Sequence, residues 1–377
     1  MNVASLMSMK PIHSFFFLLL AIVLVDWIVG MVFRPRIVGE RRLPDRVACG
    51  STVEMSVRIT NRGPLTAYDL SVLEWRPPGE IQQAGDPDYV TRLAPGETTT
   101  LRRRLLATRR GVYDLSGPGV ATAFPFGIYH KIRRLEAPRR LLVYPRFQPL
   151  SSLRIPAGRK HQPGGLQLVS AVGDSEEFLG NREYRPGDRL RDVDHRAWAR
   201  RGYPIVREHQ QEYLTRIALV LDTYVDRRGR KARADFEAAI SLGAGIADAL
   251  SRQEYVVDVF AAGPDLYHFQ AGRSLAYLDN ILDVLACLEP CRRRPFARVG
   301  PSLVEMLDTV STAVLVFLDW DEERRQLATR IRDRRVAVLA SVVRSAPLSA
   351  SPAGFDSEGG PVRVFSAAEV ERGVGEL

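Results

Sequence analysis

The chain has 377 residues, of which 45% are hydrophobic and 26% charged, and this ordinary globular composition excludes collagen-like, disordered and disulfide-scaffold proteins. The three cysteines, Cys49, Cys287 and Cys291, are an odd and sparse set, which indicates a reducing compartment. The net charge of +9 arises within the first 150 residues. Because no module that reads nucleobases accompanies these basic residues, we expect no nucleic-acid partner.

The first predicted element is a membrane-spanning helix. Residues 15–33 form an apolar run in which Asp26 is the single ionisable residue. At about 1.5 Å per residue, the run is long enough to cross most of a bilayer core of about 30 Å. It is long for a cleaved signal peptide, the alternative, and no small-residue cleavage site follows it. Asp26 either marks a helix partner or is a tolerated polar residue near the membrane interface.

The charges around this run predict its orientation. Only Lys10 precedes it, whereas five arginines follow within about fifteen residues, so the positive-inside rule places the C-terminal bulk in the cytosol. These arginines are Arg34, Arg36, Arg41, Arg42 and Arg46. We therefore predict a single-pass transmembrane anchor over residues 1–36.

Residues 40–146 are predicted to form an antiparallel β-sandwich. Between Val53 and Ile59, apolar residues alternate strictly with polar ones, which is the period of a strand with one buried face. Further short apolar runs separated by Pro-Gly turns follow, with no helical pattern between them. Residues 147–212, rich in Pro, Gly and Ser at their start, are predicted to be a linker followed by a polar signature segment.

From residue 213 the pattern changes to strands that alternate with helices. Strands are predicted at 217–221, 256–261, 313–318 and 336–343, and helices at 234–252, 275–288 and 322–335. Because parallel strands need crossover helices, residues 213–345 are predicted to form a doubly wound α/β domain. Clusters of Gly, Ser and Pro predict that the tail, residues 346–377, packs little. The predicted fold class is thus multidomain, with all-β and α/β parts.

The densest polar stretch of the chain is residues 173–200. Pro186 and Gly187 predict a tight turn, after which Asp188 is placed to cap a helix. The apolar face of that helix would consist of Leu190, Val193 and Ala197. The remaining acids and bases alternate closely enough to pair with one another, so an ion-pair lattice on a surface is the simplest interpretation.

This stretch resembles, in order and spacing, the signature of the bacterial "domain of unknown function 58" family. The matching residues are Arg182, Glu183, Tyr184, Pro186, Gly187, Asp188, Arg191, Val193, Asp194, Ala199 and Arg200. Segments upstream, at 110–113, 124–127 and 143–145, are similar to preceding segments of that family. One departure is His195, where the family usually has tryptophan.

The resemblance implies a protein of the bacterial cytoplasmic membrane with a von Willebrand factor A-like domain. Such proteins are often encoded beside a MoxR-type AAA+ ATPase and have no established enzymatic activity. We therefore expect that ATPase as a partner and expect the signature to bind it. The expected binding residues are Arg182, Glu183, Tyr184, Pro186, Gly187, Asp188, Arg191, Asp194 and Arg200.

The fold implied by the resemblance carries a metal-ion-dependent adhesion site at the carboxyl edge of its sheet. The sequence agrees on this location, because Asp222 and Asp319 each end an apolar strand. Gly300-Pro301-Ser302 resembles the family's glycine-turn motif, with serine in place of threonine. The candidate ligands are Asp222, Asp226, Ser302 and Asp319, an oxygen-only set suited to Mg²⁺.

Tyr224 argues against a working metal site. It replaces a short hydroxyl ligand, and a neutral phenol on a bulky ring is a poor ligand for Mg²⁺. The alternative is a vestigial site whose aspartates pair with arginines such as Arg227 and Arg228. Replacing Tyr224 and Asp226 together with serine would then restore cation binding.

No residue of the chain is predicted to be catalytic. The sequence contains no phosphate-cradling GxxxxGK[ST] loop and no GxSxG elbow, and its six histidines lack metal-ligand spacing. The favoured hypothesis is a membrane-anchored scaffold whose cytosolic domains bind an ATPase or its client. Two alternatives stay open, a metal-dependent hydrolase using the sheet-edge aspartates and an extracellular cation-dependent binding module.

Overall fold

The structure, a computed structural model, describes residues 3–32, 36–156, 178–188, 190–209, 216–253, 255–263, 265–270, 277–307, 310–357 and 359–377. Its internal contacts divide the chain into two units. The first comprises Met1–Arg146 with Leu282–Leu288, and the second comprises Phe147–Ile281 with Glu289–Leu377. Arg34, most of the predicted linker and the beginning of the polar stretch lie outside the described residues.

The first unit begins with a long apolar helix, α1 (Val3–Val32). Its segment His13–Met31, 19 residues with a mean hydropathy of 2.4, is long and apolar enough to cross a membrane. Among the described residues it is the one helix that meets this condition of length and composition. The predicted apolar run is therefore helical, and most of its side chains are exposed.

Asp26 in this helix is completely buried. Its Oδ1 accepts a hydrogen bond from the backbone N–H of Phe126 at 2.9 Å, and its Oδ2 accepts one from the N–H of Tyr129 at 3.0 Å. The partner of Asp26 is thus a loop of the β-rich domain and not another helix.

The rest of the first unit is built from strands. These are β1 (Ile37–Arg42), β2 (Arg46–Ala48), β3 (Thr52–Asn61), β4 (Ala67–Glu74), β5 (Ile81–Ala84), β6 (Tyr89–Leu93), β7 (Thr98–Ala107), β8 (Gly111–Leu115), β9 (Pro118–Thr122), β10 (Lys131–Arg134) and β11 (Arg139–Tyr144). They form antiparallel sheets ordered β1-β3-β7-β5 and β10-β9-β4-β6, and a smaller sheet ordered β2-β11-β8. In the smaller sheet β2 pairs parallel with β11, which departs from the predicted antiparallel pattern.

Strand β3 shows why these sheets pack face to face. Val53, Met55, Val57 and Ile59 are buried, while the alternate residues of the strand are exposed or half-buried. Because successive strand residues point to opposite faces, one face of β3 is apolar and enters the core. Residues from all three sheets share that core, so the domain is a sandwich-like β structure.

The remaining elements follow in chain order. They are β12 (Phe178–Glu183), a short 3-10 turn (Leu190–Asp192), α2 (His195–Arg201), β13 (Ile205–His209), β14 (Arg216–Asp222), α3 (Arg230–Arg252), β15 (Val256–Ala262), β16 (Leu266–Gln270), α4 (Tyr277–Cys287), α5 (Phe296–Met306), β17 (Thr312–Phe317), α6 (Glu322–Asp333), β18 (Ala337–Val343), β19 (Asp356–Ser357), β20 (Gly360–Pro361), β21 (Arg363–Phe365) and α7 (Ala367–Arg372). The pair β12 and β13, the strands β16 and β21, and the helices α5 and α7 were not predicted from the sequence.

The second unit is organised around a six-stranded sheet ordered β16-β15-β14-β17-β18-β21. Neighbouring strands run parallel except for β16, which is antiparallel to β15 at the sheet edge. Residues 217–222 of β14 and every residue of β17 and β18 are buried, as expected for strands covered on both faces. The four predicted strands form the centre of this mixed α/β sheet.

The tail after Pro347 packs against the second unit, contrary to the expectation from the sequence. Strand β21 joins the sheet beside β18, helix α7 packs against α3, and the side chains of Phe355 and Leu377 are buried. The elements of the tail are only two to six residues long, so they show no usable periodicity.

The described beginning of the predicted linker is also packed. Leu150 and Leu153 are buried, and the backbone oxygen of Leu150 accepts a hydrogen bond from Nη2 of Arg252 at 3.1 Å. Ser152 pairs with Glu376 near the C-terminus. Residues 147–156 therefore belong to the α/β unit and are not a free connection.

Candidate functional site

Two buried aspartates lie at the carboxyl edge of the six-stranded sheet. Asp222 is the last residue of β14, and Asp319 follows the end of the adjacent strand β17. On one side of this strand pair the sheet continues from β14 to β15 and β16, and on the other side from β17 to β18 and β21, so the direction in which strands are added reverses between β14 and β17. In doubly wound sheets such a reversal opens the crevice in which ligands bind. We call Asp222, Asp319 and the groups that contact them the sheet-edge cluster.

Both carboxylate oxygens of Asp222 accept hydrogen bonds from the protein itself. Its Oδ1 accepts the N–H of Tyr224 at 2.8 Å, and its Oδ2 accepts the N–H of Leu318 at 3.0 Å. The same Oδ2 accepts Nε of Arg324 at 2.7 Å, with Nη2 also at 2.7 Å. A buried carboxylate is thereby neutralised by a buried guanidinium.

Arg324 is held in place from several sides. It lies in the first turn of α6, where its Nη1 donates to Oδ2 of Asp321, the N-cap of the helix, at 2.6 Å. The guanidinium carbon lies 5.5 Å from the ring centroid of Tyr224 and 5.4 Å from that of Phe296. Burial by itself would lower the pKa of Arg324, but the charges of Asp222 and Asp321 raise it above its ordinary value. Arg324 therefore carries a permanent positive charge inside the cluster.

Asp319 is neutralised in the same way by a second arginine. Its Oδ2 lies 3.0 Å from Nη1 of Arg344 and accepts the hydroxyl of Ser349, while its Oδ1 accepts the N–H groups of Trp320 and Ser349 at 2.8 and 3.0 Å. Nη2 of Arg344 also donates to Oδ2 of Asp226 at 3.3 Å. Every oxygen of Asp222 and Asp319 thus accepts a hydrogen bond from the protein.

The other predicted ligands are placed differently. Gly300, Pro301 and Ser302 lie inside helix α5 and not in a turn, and Ser302 is exposed. Arg227 lies 3.7 Å from Asp226, but the arginines that reach the buried aspartates are Arg324 and Arg344, not Arg227 and Arg228 as predicted. Within the described ranges, no group of three or more His, Cys, Asp or Glu side chains is arranged to hold a metal ion.

Sequence reasoning missed both arginines of the sheet-edge cluster. Arg344 directly follows strand β18, so the strand-end argument that identified Asp222 and Asp319 applies to it as well. Arg324 lies on a helix, and no local pattern distinguishes it from the arginines around it. The two guanidinium groups thus supply to Asp222 and Asp319 the positive charge that a metal ion would otherwise supply.

The signature segment forms a small structure of its own. Strand β12 pairs antiparallel with β13, with Glu183 opposite Ile205. Arg182 forms two parallel hydrogen bonds with Asp188, Nη1 to Oδ2 at 2.7 Å and Nη2 to Oδ1 at 2.9 Å. Oδ2 of Asp188 also accepts the N–H of Arg185 at 2.7 Å, which closes the predicted turn. The hydrogen bonds from Arg182 and Arg185 lower the pKa of Asp188 to about 2.

The helix that follows is capped by Asp194 and not by Asp188 as predicted. Oδ1 of Asp194 accepts the N–H groups of Arg196 and Ala197, both at 3.0 Å, and its Oδ2 accepts Nε of Arg207 at 3.2 Å. The hydrogen bond from Ala197 is the largest of the effects that lower the pKa of Asp194. Asp188 cannot act as the cap because Arg182 and the turn occupy its carboxylate.

The predicted binding residues therefore divide into two groups. Arg182, Tyr184, Asp188 and Asp194 are half-buried, and three of them hold the segment together through the contacts above. Glu183, Pro186, Gly187, Arg191 and Arg200 are exposed. Large apolar side chains that were not predicted to bind are exposed in the same segment, namely Leu190, Trp198 and Tyr203. We call Leu190, Arg191, Trp198, Arg200 and Tyr203 the signature surface.

Comparison with protein families identifies one match for the chain. The model of the family described as "Protein of unknown function DUF58" matches residues 180–345, which include most of the signature segment, the aspartates and arginines of the sheet-edge cluster and five of the six sheet strands. The match covers less than half of the chain. No curated protein matches it.

Several solved structures show weak similarity to the chain. The CARDB domain of a Pyrococcus furiosus protein is 18% identical with a TM-score of 0.20, over 29% of this chain and 94% of its own. Trypsin-activated alpha-2-macroglobulin from Escherichia coli is 19% identical with a TM-score of 0.22, over 42% of this chain and 9% of its own. A cohesin module from Clostridium perfringens is 16% identical with a TM-score of 0.17, over 28% of this chain and 96% of its own. These scores carry no conclusion about fold or function.

Proposed function

We propose that the chain is a membrane-anchored, non-catalytic binding protein that works with a MoxR-type AAA+ ATPase in protein assembly or maturation. The observation that carries the proposal is the ion pair between Asp222 and Arg324 at the sheet edge. A hydrolase that uses metal there needs open coordination positions and an activated water. The guanidinium groups of Arg324 and Arg344 supply the positive charge instead, each at the Oδ2 of its aspartate. Backbone N–H groups donate to Oδ1 of Asp222 and of Asp319, so every carboxylate oxygen already accepts a hydrogen bond from the protein.

The sheet supports assignment of the second unit to the von Willebrand factor A-like class. Its strand order reverses between β14 and β17, which is the doubly wound arrangement that such a domain requires. The family match over residues 180–345 covers the same region. In this proposal the sheet-edge cluster is a vestigial adhesion site that now stabilises the domain.

The signature surface is the proposed docking site for the ATPase. Trp198, Tyr203, Arg191 and Arg200 are all exposed in this segment, and tryptophan, tyrosine and arginine are the residues most enriched among binding hot spots. The backbone beneath them is held by the bidentate pair of Arg182 with Asp188. A rigid support of this kind lowers the entropy lost when a partner binds.

Helix α1 supplies the proposed membrane anchor. Its length and hydropathy suit a single span, and the arginines that follow it favour a cytosolic location for both soluble domains. In that location the signature surface is available to a cytosolic ATPase.

The test is binding of the full chain, in detergent, to the MoxR-type ATPase of the same genome. We expect Trp198→Ala combined with Arg200→Glu to weaken binding by roughly thirtyfold, the effect of losing a hot-spot contact. Arg140→Glu is the control, because Arg140 is also an exposed arginine but lies in the β-sandwich, outside the signature segment. Equal binding by the double variant and the control contradicts the docking site.

A further inference from the structure

We propose that residues 124–130, the loop between β9 and β10, form a second membrane contact that inserts into the interface of the leaflet where α1 ends. This inference rests on the proposed function, because it requires α1 to span a bilayer. The loop is joined to α1 through Asp26, which accepts the N–H groups of Phe126 and Tyr129. The proposed partner of the exposed side chains of this loop is therefore the lipid that surrounds the helix.

The faces of α1 support this arrangement. Asp26 and Gly30 are buried, and at a separation of four residues they lie on the same face of the helix. Their neighbours Trp27 and Ile28 are exposed, as expected for residues that contact lipid. A methyl group built on Gly30 would lie 2.8 Å from Nζ of Lys131, so the side chain of the first residue after the loop reaches the helix as well. The lysine brings positive charge to the carbonyl end of α1, where the helix dipole favours it.

The position of Asp26 gives the depth of the loop. The apolar segment of α1 ends at Met31, five residues after Asp26. At about 1.5 Å per residue, the carboxylate lies about 7.5 Å inside the end of that segment. Interfacial segments bury their apolar side chains to a depth of about 5–10 Å. The amides that bind Asp26 are thus at the depth of the interface.

The side chains of the loop suit that location. Phe126, Ile128 and Tyr129 are 55%, 46% and 51% exposed, although all three are large and apolar or aromatic. Phe124 at the base of the loop stacks on Tyr68 of the sandwich, with ring centroids 5.0 Å apart. The base is therefore fixed to the domain while the tip projects apolar groups. Aromatic residues concentrate at membrane interfaces in this way.

The hydrogen bonds of Asp26 also fit a location with little water. A backbone N–H in the membrane must find its partner within the protein, because water is scarce there. A carboxylate within a span is likewise tolerated when protein groups satisfy it. Asp26 and the two amides of the loop satisfy one another, which accounts for an acidic residue in the otherwise apolar segment of α1.

The experiment places a fluorescent label in the full chain reconstituted into phosphatidylcholine and phosphatidylglycerol vesicles. The background is Cys49→Ser and Cys287→Ser, with buried Cys291 retained. Labels are attached at Ile128→Cys, at Leu20→Cys in the middle of α1, and at Tyr89→Cys. Tyr89 is the control, because it is an exposed aromatic residue of β6, on the opposite edge of the same sheet from β10.

We expect lipids with nitroxide-bearing acyl chains to quench the label at 128 roughly twofold or more beyond the label at 89. Iodide dissolved in the water should quench the label at 89 more strongly than the label at 128. If the label at 20 is quenched by the lipids but the label at 128 behaves like that at 89, the loop proposal fails and the anchor stands. If the label at 20 is not quenched either, both proposals fail.

A pair of variants tests the role of Asp26. Asp26→Leu keeps the helix apolar but removes both acceptors, so the label at 128 should lose its protection from iodide. Asp26→Asn retains one acceptor oxygen and should preserve most of that protection. Full protection in Asp26→Leu, or equal loss in the two variants, overturns the assignment of Asp26 as the partner of the loop.

Discussion

Nε of Arg324 donates to Oδ2 of Asp222 at 2.7 Å, and both side chains are almost completely buried. The two residues are 102 positions apart in the chain, one at the end of β14 and the other at the beginning of α6. The pair therefore connects the centre of the sheet to the helix that covers it. It also occupies the edge at which the sequence places the candidate cation site.

Removing one partner of this pair should destabilise the α/β domain strongly. Arg324→Met leaves the carboxylate of Asp222 buried without its counter-charge, which costs about 3–5 kcal/mol. The double variant Arg324→Met with Asp222→Asn should recover part of that loss, because position 222 then no longer carries an unpaired buried charge. Urea unfolding of the full chain measures these differences. Arg298→Met, which breaks an exposed pair with Asp265, is the control and should cost at most about 1 kcal/mol.

Mg²⁺ and Mn²⁺ are expected not to bind the sheet-edge cluster of the unmodified chain. Arg324 and Arg344 occupy the carboxylates, so calorimetric titration should give no stoichiometric heat. The double variant Tyr224→Ser with Asp226→Ser, which the sequence alone suggests would restore cation binding, should also give no heat of binding while Arg324 is present. Adding Arg324→Ala to that pair is expected to allow cation binding. Stoichiometric binding by the unmodified chain would show that the site is functional.

Asp188 should titrate with a midpoint near pH 2. Its pKa of about 2 in the folded chain lies below the ordinary value of 3.8, so the ionised carboxylate stabilises the signature segment. That stabilisation is complete above about pH 4 and is lost as the pH falls through about 2. The carboxyl ¹³C shift of Asp188 measures the midpoint. Arg182→Gln should move it upward, and a midpoint near 3.8 before substitution would contradict the bidentate pair.

The C-terminus is expected on the cytosolic side of the membrane. Arginines follow the apolar segment of α1 while Lys10 alone precedes that segment, and this asymmetry determines orientation. Fusions of the C-terminus to a reporter active in the cytosol and to one active in the periplasm provide the measurement. Activity of the periplasmic reporter alone would reverse the predicted topology and would separate the signature surface from any cytosolic ATPase.

Local sequence patterns were sufficient for many of the regular elements of both units, although the 11-residue helix α5 was missed. The apolar run around Asp26 indicates α1, the alternation from Val53 to Ile59 indicates β3, and the apolar runs of the second unit indicate its central strands. Each of these signals depends on the burial of one face or of a whole segment, and such burial repeats at intervals of a few residues. Short elements such as β21 and α7 carry no repeat and were missed.

The sequence by itself also predicted that Asp222 and Asp319 follow apolar strands and lie at one edge of the sheet, because the carboxyl ends of parallel strands meet at the same edge. Only the tertiary structure decided what these carboxylates bind. The packing of distant segments decides that Asp222 pairs with Arg324 and not with Arg227. It likewise decides that Asp194 and not Asp188 caps α2, and that loop amides are the partners of Asp26. The physical reason is that a polar group pairs with whichever donor packing brings within about 3 Å, and no local periodicity encodes that distance.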